Sequence, residues 1–427
     1  LLIAWLSWMF GSLNLLPFTR WTIMLAVVLI GALSVYLGIK NKASLIEFFQ
    51  KSWKHLLLCE GLFAAAFTVM LVIRINNPDL WQPWMGGEKP MDFAFFNAVL
   101  KSAYFPPENP WFSGHYINYY YYGYVLAAIP TKLSGIIPSI AYNLILPAWF
   151  AMIGISVFSL AFNLVTGLSR KEPLYRSTPF TEWEQTSLVE RSVRRWAVFA
   201  GIFAMIAVIF LGNLYEVKIF VKNLPEMVPA EWAVEHPDNP TGGKLAGALQ
   251  VLSGKAELPG NNSQWYFEAS RPILNGKDDT PIAEFPYFTF LYGDMHPHLL
   301  TMPIYAIALG WMLSLLIHPL TRKKWLDLIV SLLAAAVIFG CFSASHTWDF
   351  YPFTGLAVLC IIWSTWRSRP SDDIHSVILV MAGYVIAFVG MAMLFYMPFT
   401  YWFKTAYSSI QLWTGARTPL VDYMVVF

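Results

Sequence analysis

The chain has 427 residues, of which 57% are hydrophobic and 13% charged, with a formal net charge of +2 and a positive mean hydropathy. Soluble globules carry charge on about a quarter of their residues, so this composition excludes one and reads as an integral membrane protein. The small net charge, and the absence of a basic run in a polar context, argue against a nucleic-acid partner.

In chain order, runs approaching the roughly 20 apolar residues that cross a hydrocarbon core are Leu1–Leu16 (cut short), Trp21–Ile39, His55–Ile75, Ser139–Val165, Trp196–Leu214, Thr301–Ile317, Leu326–Phe342, Pro352–Trp366 and Val377–Met397. They predict an all-α polytopic bundle of about nine transmembrane helices, with N-terminal helices over 1–54 and a core over 55–427. The polar insertions read as loops between spans. Beginning at Leu1 without a methionine and stopping at Phe427, the sequence reads as a piece of a longer chain. Cys59, Cys341 and Cys360 lie in apolar segments without metal-ligand spacing, as buried free thiols would.

Lys and Arg near span ends set the orientation. Four segments are basic: Lys40–Lys54 with four such residues, Arg170–Arg195 with six, Thr321–Lys324 with three and Arg367–Arg369 with two. These are expected on the cytoplasmic side. The loops 76–138, 217–298 and 398–427, with the short turn 345–351, are expected outside. The stretch HYINYYYYGYVL, His115–Leu126, holds six tyrosines and decides the alternation. If it crossed, every later basic segment would switch sides. It also precedes Pro130 and Lys132 and contains Asn118, which a lipid-facing span tolerates poorly. It is therefore expected to be an amphipathic or partly re-entrant juxtamembrane helix on the outer face, rather than an aromatic belt on an ordinary span.

The chemistry-bearing groups gather in the outer segments. Gly86-Gly87 permits a sharp turn, Pro90 suits a first helical turn, and Glu88 and Asp92, four apart at a helix mouth, offer a general base or merely a helix cap. Asp294, His296 and His298 alternate ahead of a span. An extended backbone would put all three on one side, open to a divalent metal, to hydrogen bonding with substrate, or to capping. His346 and Asp349 stand at the outer end of a helix pair, and Arg271, Lys404 and Arg417 are candidate anion partners. Mid-span charges, which would favour transport, are few, with Glu60 and Arg74 near span ends. Asn261-Asn262-Ser263 matches a glycosylation acceptor. Nucleotide-binding loops and metalloprotease or hydrolase motifs are absent from the sequence.

Three blocks carry a resemblance: GGEKPMDFAFFNAVLKSAYFPPENPWFSGHYINYYYYGY, then EFPYFTFLYGDMHPH, then HTWDFYP. From about Trp53 onward the chain resembles the "YYY" membrane proteins of archaea and Chloroflexi-type bacteria. These are in turn similar to the GT-C glycosyltransferases, such as protein mannosyltransferases and lipid A aminoarabinose transferases. The resemblance implies a GT-C-like bundle in a prokaryotic cell membrane, and a sugar donor on polyprenyl phosphate bound at the outer face. It implies Glu88 as the base that deprotonates or orients an acceptor hydroxyl, with Asp92 as its close competitor. His115, Tyr119, Tyr120, Asp294, His296, His298 and Asp349 would contact substrate, and Arg271 or Arg417 the phosphate. Where the mannosyltransferases carry a paired Asp-Glu, this chain has Glu88-Lys89. Two other readings stay open, a non-catalytic GT-C-like subunit of a membrane complex and a lipid-linked saccharide transporter. No cofactor is required beyond a possible divalent metal.

Overall fold

The structure is a computed structural model that describes residues 1–81, 87–168, 188–211, 213–257, 259, 267–273, 281–319, 325–369, 372–405, 412, 414–415 and 417–426. Gly86, Asn261-Asn262-Ser263, most of the basic segment 170–195 and all of Thr321–Lys324 lie outside the described residues. Among those described, helices account for the regular structure, and the one β-feature is an isolated bridge between Glu108 and Tyr116.

The chain divides into two compact units. The first holds Leu1–Met205 and Gly293–Ser408, the second Ile206–Tyr292 and Ser409–Phe427. The first contains α1 (Leu2–Ser12), α2 (Arg20–Lys40), α3 (Lys42–Asn76), α4 (Lys89–Lys101), α5 (Tyr122–Ser134), α6 (Pro138–Leu168) and nearly all of α7 (Leu188–Ile206). The second holds α8 (Tyr215–Asn223), α9 (Ala230–Glu235), α10 (Pro240–Leu252) and α11 (Pro286–Tyr292). The chain then returns to the first unit with α12 (Pro297–Ile317), α13 (Trp325–Ser345), α14 (Thr347–Arg367) and α15 (Ile374–Phe395).

Seven helical segments of the described residues are long and apolar enough to cross a membrane: α2, α3, α6, Ser192–Leu211, α12, α13 and α15. Two of the nine expected spans fall short for different reasons. Helix α1 has only 11 residues. Helix α14 has 21 but opens on the polar, aromatic Thr-Trp-Asp-Phe-Tyr, so a window of span length never becomes apolar enough.

The basic segment Lys40–Lys54 is not a loop. Only Asn41 separates α2 from α3, and α3 then runs unbroken for 35 residues. At 1.5 Å per residue that is about 52 Å, well beyond the roughly 30 Å hydrocarbon core. The extra length carries the charged turns of its N-terminal half.

Within the bundle α3 lies along α6, α6 against α12, and α13, α14 and α15 pack on one another. These contacts bring one set of helix ends together. Arg74, in the last turn of α3, meets Asn143 near the start of α6, and Tyr305 of α12 meets Asp349 in the first turn of α14. Helices α4 and α5 fold into this end.

The tyrosine stretch does not behave as an amphipathic surface helix. Helix α5 has 13 residues, about 20 Å, too short to cross. It is buried on most sides, at Tyr122, Gly123, Tyr124, Val125, Ala127, Ala128, Ile129 and Thr131. Gly123 allows this insertion, because a Cβ there would come within 2.8 Å of Leu300 Cβ on α12. Tyr122 joins an aromatic core with Trp8 and Tyr396, its ring 5.3 and 5.2 Å from theirs. Tyr121 stacks on Phe105. Near the other end of α5, Lys132 donates to the carbonyl of Phe18 and lies over its ring. Burying so many aromatic rings supplies the packing that a short helix lacks by itself.

The second unit shows that much of the stretch 217–298 is folded rather than loop. Ile219, Ala269, Phe285 and Phe288 form its small core, flanked by Tyr215, Tyr287 and Tyr292. Asn213 ties it together, donating to the carbonyl of Ala269 and accepting from the Tyr215 amide.

Candidate functional site

Glu88 and Asp92 are divided by the start of α4. Glu88 is the residue before the helix, yet its side chain makes no capping bond, and Asp92 lies one turn in, its amide donating to the Glu88 carbonyl. The carboxylate of Glu88 instead reaches His296, with Oε2 2.9 Å from Nδ1, and remains about half exposed. Asp92 is completely buried. Its Oδ1 accepts from the Tyr124 hydroxyl at 2.6 Å. Its Oδ2 has no hydrogen-bond partner among the described residues.

Asp294 and His296 come from the turn ahead of α12. Gly293 sits there at φ +74°, and a Cβ on it would press within 2.8 Å of Arg74 Nη1, so both conformation and space call for glycine. The Met295 amide donates to the hydroxyl of Tyr142 on α6, which pins the turn to the bundle. Asp92, Asp294 and His296 each offer a ligand atom, and these three atoms lie within 4.8 Å of one another. That spacing lets one divalent cation touch all three, with two carboxylates and an imidazole as a mixed hard and borderline donor set.

The trio differs from the expected Asp294-His296-His298. Alternation holds only from Asp294 to His296, because Pro297 does not break a helix but begins one, as proline at a first helical position often does. His298 is therefore already in α12, and its place is taken by Asp92 from another helix. The His296 and His298 rings stay neighbours, 5.1 Å between centroids.

Electrostatics set the Asp92 carboxyl apart. Burial pushes it well above the ordinary carboxylate range, the Tyr124 hydrogen bond opposes this, and the charges of Asp294 and Glu88 push further up. Buried Lys89 is driven the other way, by burial first and then by Arg74, with Asp294 opposing. Tyr119, raised chiefly by burial and then by Glu88 and Asp92, keeps its proton and remains a donor.

The remaining tyrosines divide by position. Tyr119 packs beside Tyr120, 5.0 Å between ring centroids, and Tyr120 meets His346 edge-on. His346 Nδ1 is 2.7 Å from Asp349 Oδ2, and the same oxygen accepts from the Tyr305 hydroxyl at 2.5 Å. Thus Tyr119, Tyr120 and Asp349 are brought to the end of the bundle that holds Glu88 and Asp92. His115 is not drawn into that cluster, since its exposed ring stacks on Phe112. Asn118 instead ties the segment to residue 404, exchanging two 2.8 Å hydrogen bonds with the Lys404 backbone. Arg271 and Arg417 belong to the second unit. There Arg271 bonds Ser270 and lies over Phe267, and Arg417 is exposed.

Sequence reasoning passed over Arg74, Lys89, Tyr124 and Tyr142. An Arg at a span end reads as a headgroup contact, and one tyrosine in a run of tyrosines carries no mark of its partner. The profile of the family described as "Uncharacterized membrane protein (DUF2298)" matches residues 2–427. The chain belongs to this family. It is an integral membrane protein, and the match brings a membrane family with it but no activity and no transferase kinship. No curated protein and no solved structure matches the chain.

Proposed function

We propose that this DUF2298 member is a membrane glycosyltransferase that moves a sugar from a polyprenyl-phosphate donor to an acceptor at the outer face. The observation that carries the reading is the pairing of a reachable carboxylate, Glu88, with a buried one, Asp92, at one end of an apolar bundle. A base must come within hydrogen-bond reach of the proton it takes, and Glu88 is the exposed member, oriented by His296. In this reading Glu88 accepts the acceptor's hydroxyl proton as that oxygen bonds to the anomeric carbon. The bond from that carbon to the donor phosphate breaks, and the lipid phosphate leaves with the electron pair. Tyr119 and Tyr120 wall the sugar. Asp92 sits behind Glu88 and acts through position, and through charge once a bound cation displaces its proton. The outer-face assignment rests on the segregation of basic segments from this end, following the Lys and Arg rule.

The test is transfer of labelled sugar from a polyprenyl-phosphate donor in membranes carrying wild type or Glu88→Gln. Loss of about a hundredfold or more in the variant is expected for a removed general base. Undiminished transfer would sink the role of Glu88, and no transfer from any such donor would leave a non-catalytic subunit of a membrane complex or a saccharide transporter in its place.

Divalent cation binding by Asp92, Asp294 and His296 is part of the same reading and is tested apart from it. Manganese titration of the detergent-purified protein, followed by paramagnetic resonance, is expected to show one site, weakened at least tenfold by Asp294→Asn. The same stoichiometry and affinity in that variant would remove the cation from the proposal.

A further inference from the structure

Arg74 is the most unusual charge in the first unit. It is 2% exposed, and among the described residues no carboxylate lies within ion-pair distance of it. Its Nε and Nη2 both donate to one neutral acceptor, Asn143 Oδ1, at 3.0 and 2.5 Å. Asn143 is itself locked, its Nδ2 donating to the carbonyls of Pro78 at 3.0 Å and Ser139 at 3.1 Å. The amide is thus fixed with its oxygen towards the guanidinium, and the guanidinium is fixed before any ligand arrives.

Buried charges are ordinarily paired, because an unpaired one bears its full desolvation cost. Here the space a partner would need is present. Arg74 and Asn143 line a cavity of about 640 Å³ between the last turn of α3 and the start of α6. Its walls are largely apolar, including Ile75, Trp81, Ile140 and Leu144, and the first three are exposed, so the apolar surface runs out to the bundle's exterior. Asp79 also lines the cavity and its charge acts on Arg74, but it stays beyond ion-pair distance, its Oδ1 accepting from the Trp81 amide at 2.9 Å. Lys89 feels the Arg74 charge, which adds a second cation near the same end.

We propose that this cavity binds the phosphate of an amphiphile, with the anion on Arg74 and the hydrocarbon chain leaving along Ile75, Trp81 and Ile140. A fixed guanidinium suits phosphate through its fork of donors, and an apolar lip suits a chain that continues into lipid. The inference deepens the transferase reading, for which the amphiphile is the sugar donor, but binding does not depend on transfer. Arg74 Nη1 lies behind the Gly293 turn, so a phosphate held there would stand beside the residues that carry Asp294 and His296.

The experiment measures thermal stabilisation of the detergent-purified chain by farnesyl phosphate, farnesol and inorganic phosphate. Two variants complement wild type: Arg74→Met, which replaces a buried charge that lacks a direct ion pair with an apolar chain of similar reach, and Ile140→Trp, which fills the cavity and leaves Arg74 in place. Saturable stabilisation by farnesyl phosphate is expected, at concentrations where farnesol and inorganic phosphate do nothing. Both variants should weaken it at least tenfold, whereas Glu88→Gln should bind as wild type does while losing transfer. Equal stabilisation by farnesol or by inorganic phosphate would overturn the proposal, as would unchanged binding in both variants. Sugar transfer that persists in Arg74→Met would sink the phosphate site and spare the transferase. Binding without transfer from any donor would do the reverse.

Discussion

Asp92 and Asp349 invite comparison. Both stand in the first turn of a helix at the same end of the bundle, and each accepts from a tyrosine hydroxyl, Tyr124 at 2.6 Å and Tyr305 at 2.5 Å. The helix dipole favours the two carboxylates equally. Their surroundings differ. Asp349 keeps some exposure and has a second partner, His346 at 2.7 Å. Asp92 has none to spare: it is completely buried, its second oxygen is unpartnered among the described residues, and Asp294 and Glu88 repel its charge. Position on a helix therefore does not decide what a carboxylate is for. One of these groups is satisfied and holds the mouth of α14 together, while the other is buried beside two like charges that disfavour its ionised form.

The widest separation between the two is expected in activity. Under the transferase reading, Asp92→Asn should cut labelled-sugar transfer by about a hundredfold or more, and Asp349→Asn by less than about tenfold. Equal losses would erase the contrast. Stability should separate them in the opposite sense. Asp349→Ala strips partners from both His346 and Tyr305 and should cost roughly 1–3 kcal/mol, read by thermal unfolding in detergent. Asp92→Asn, which retains an acceptor for Tyr124 and removes a charge that burial disfavours, should cost nothing at neutral pH.

Intermediate in size is the effect of pH. Asp92 holds its proton more tightly when folded than when unfolded, where its pKa is about 3.9. Its contribution to stability is fully present below that value and is lost as pH rises through the raised folded one. Thermal unfolding of wild type and Asp92→Asn should thus converge near pH 4 and diverge upwards, with the variant the more stable. A difference independent of pH would mean that Asp92 is not held protonated by its surroundings. The smallest effect is expected at Gly293→Ala, about 1 kcal/mol for the left-handed backbone alone, with added crowding against Arg74. Weakened manganese binding in that variant would tie the turn to the placing of Asp294.

Much of this molecule could be read from the order of its residues. Apolar runs gave the main spans, because a helix in lipid must satisfy its own backbone and show hydrocarbon outside. Even the refusal of the tyrosine stretch to cross followed from alternation of basic segments and from its polar residues. The limits came where periodicity is shared by two outcomes. Residues of α5 buried among helices look much like residues at a membrane surface, so the sequence could not separate an inserted helix from an amphipathic one. Likewise Lys40–Lys54 is polar enough for a loop, yet α3 continues through it, because its polar residues include good helix formers and the single residue Asn41, whose side chain donates to the Leu37 carbonyl, is all the turn requires.

For the site, the sequence alone determined which groups were available. Glu88 and Asp92 at a helix mouth, Asp294 and His296 ahead of a span, and a block of tyrosines are local facts, fixed by spacing and by the rule that charge avoids the hydrocarbon core. Tertiary structure decided who meets whom. It put Asp92 with Asp294 and His296 in place of His298, gave Tyr124 to Asp92, sent Tyr121 and Tyr122 to the core, and turned Arg74 from a span-end charge into a buried one facing a cavity. Each of those outcomes depends on separations of many residues, and on whether burial leaves a polar atom with a partner. No local pattern encodes that, because the desolvation of a group is a property of everything packed around it.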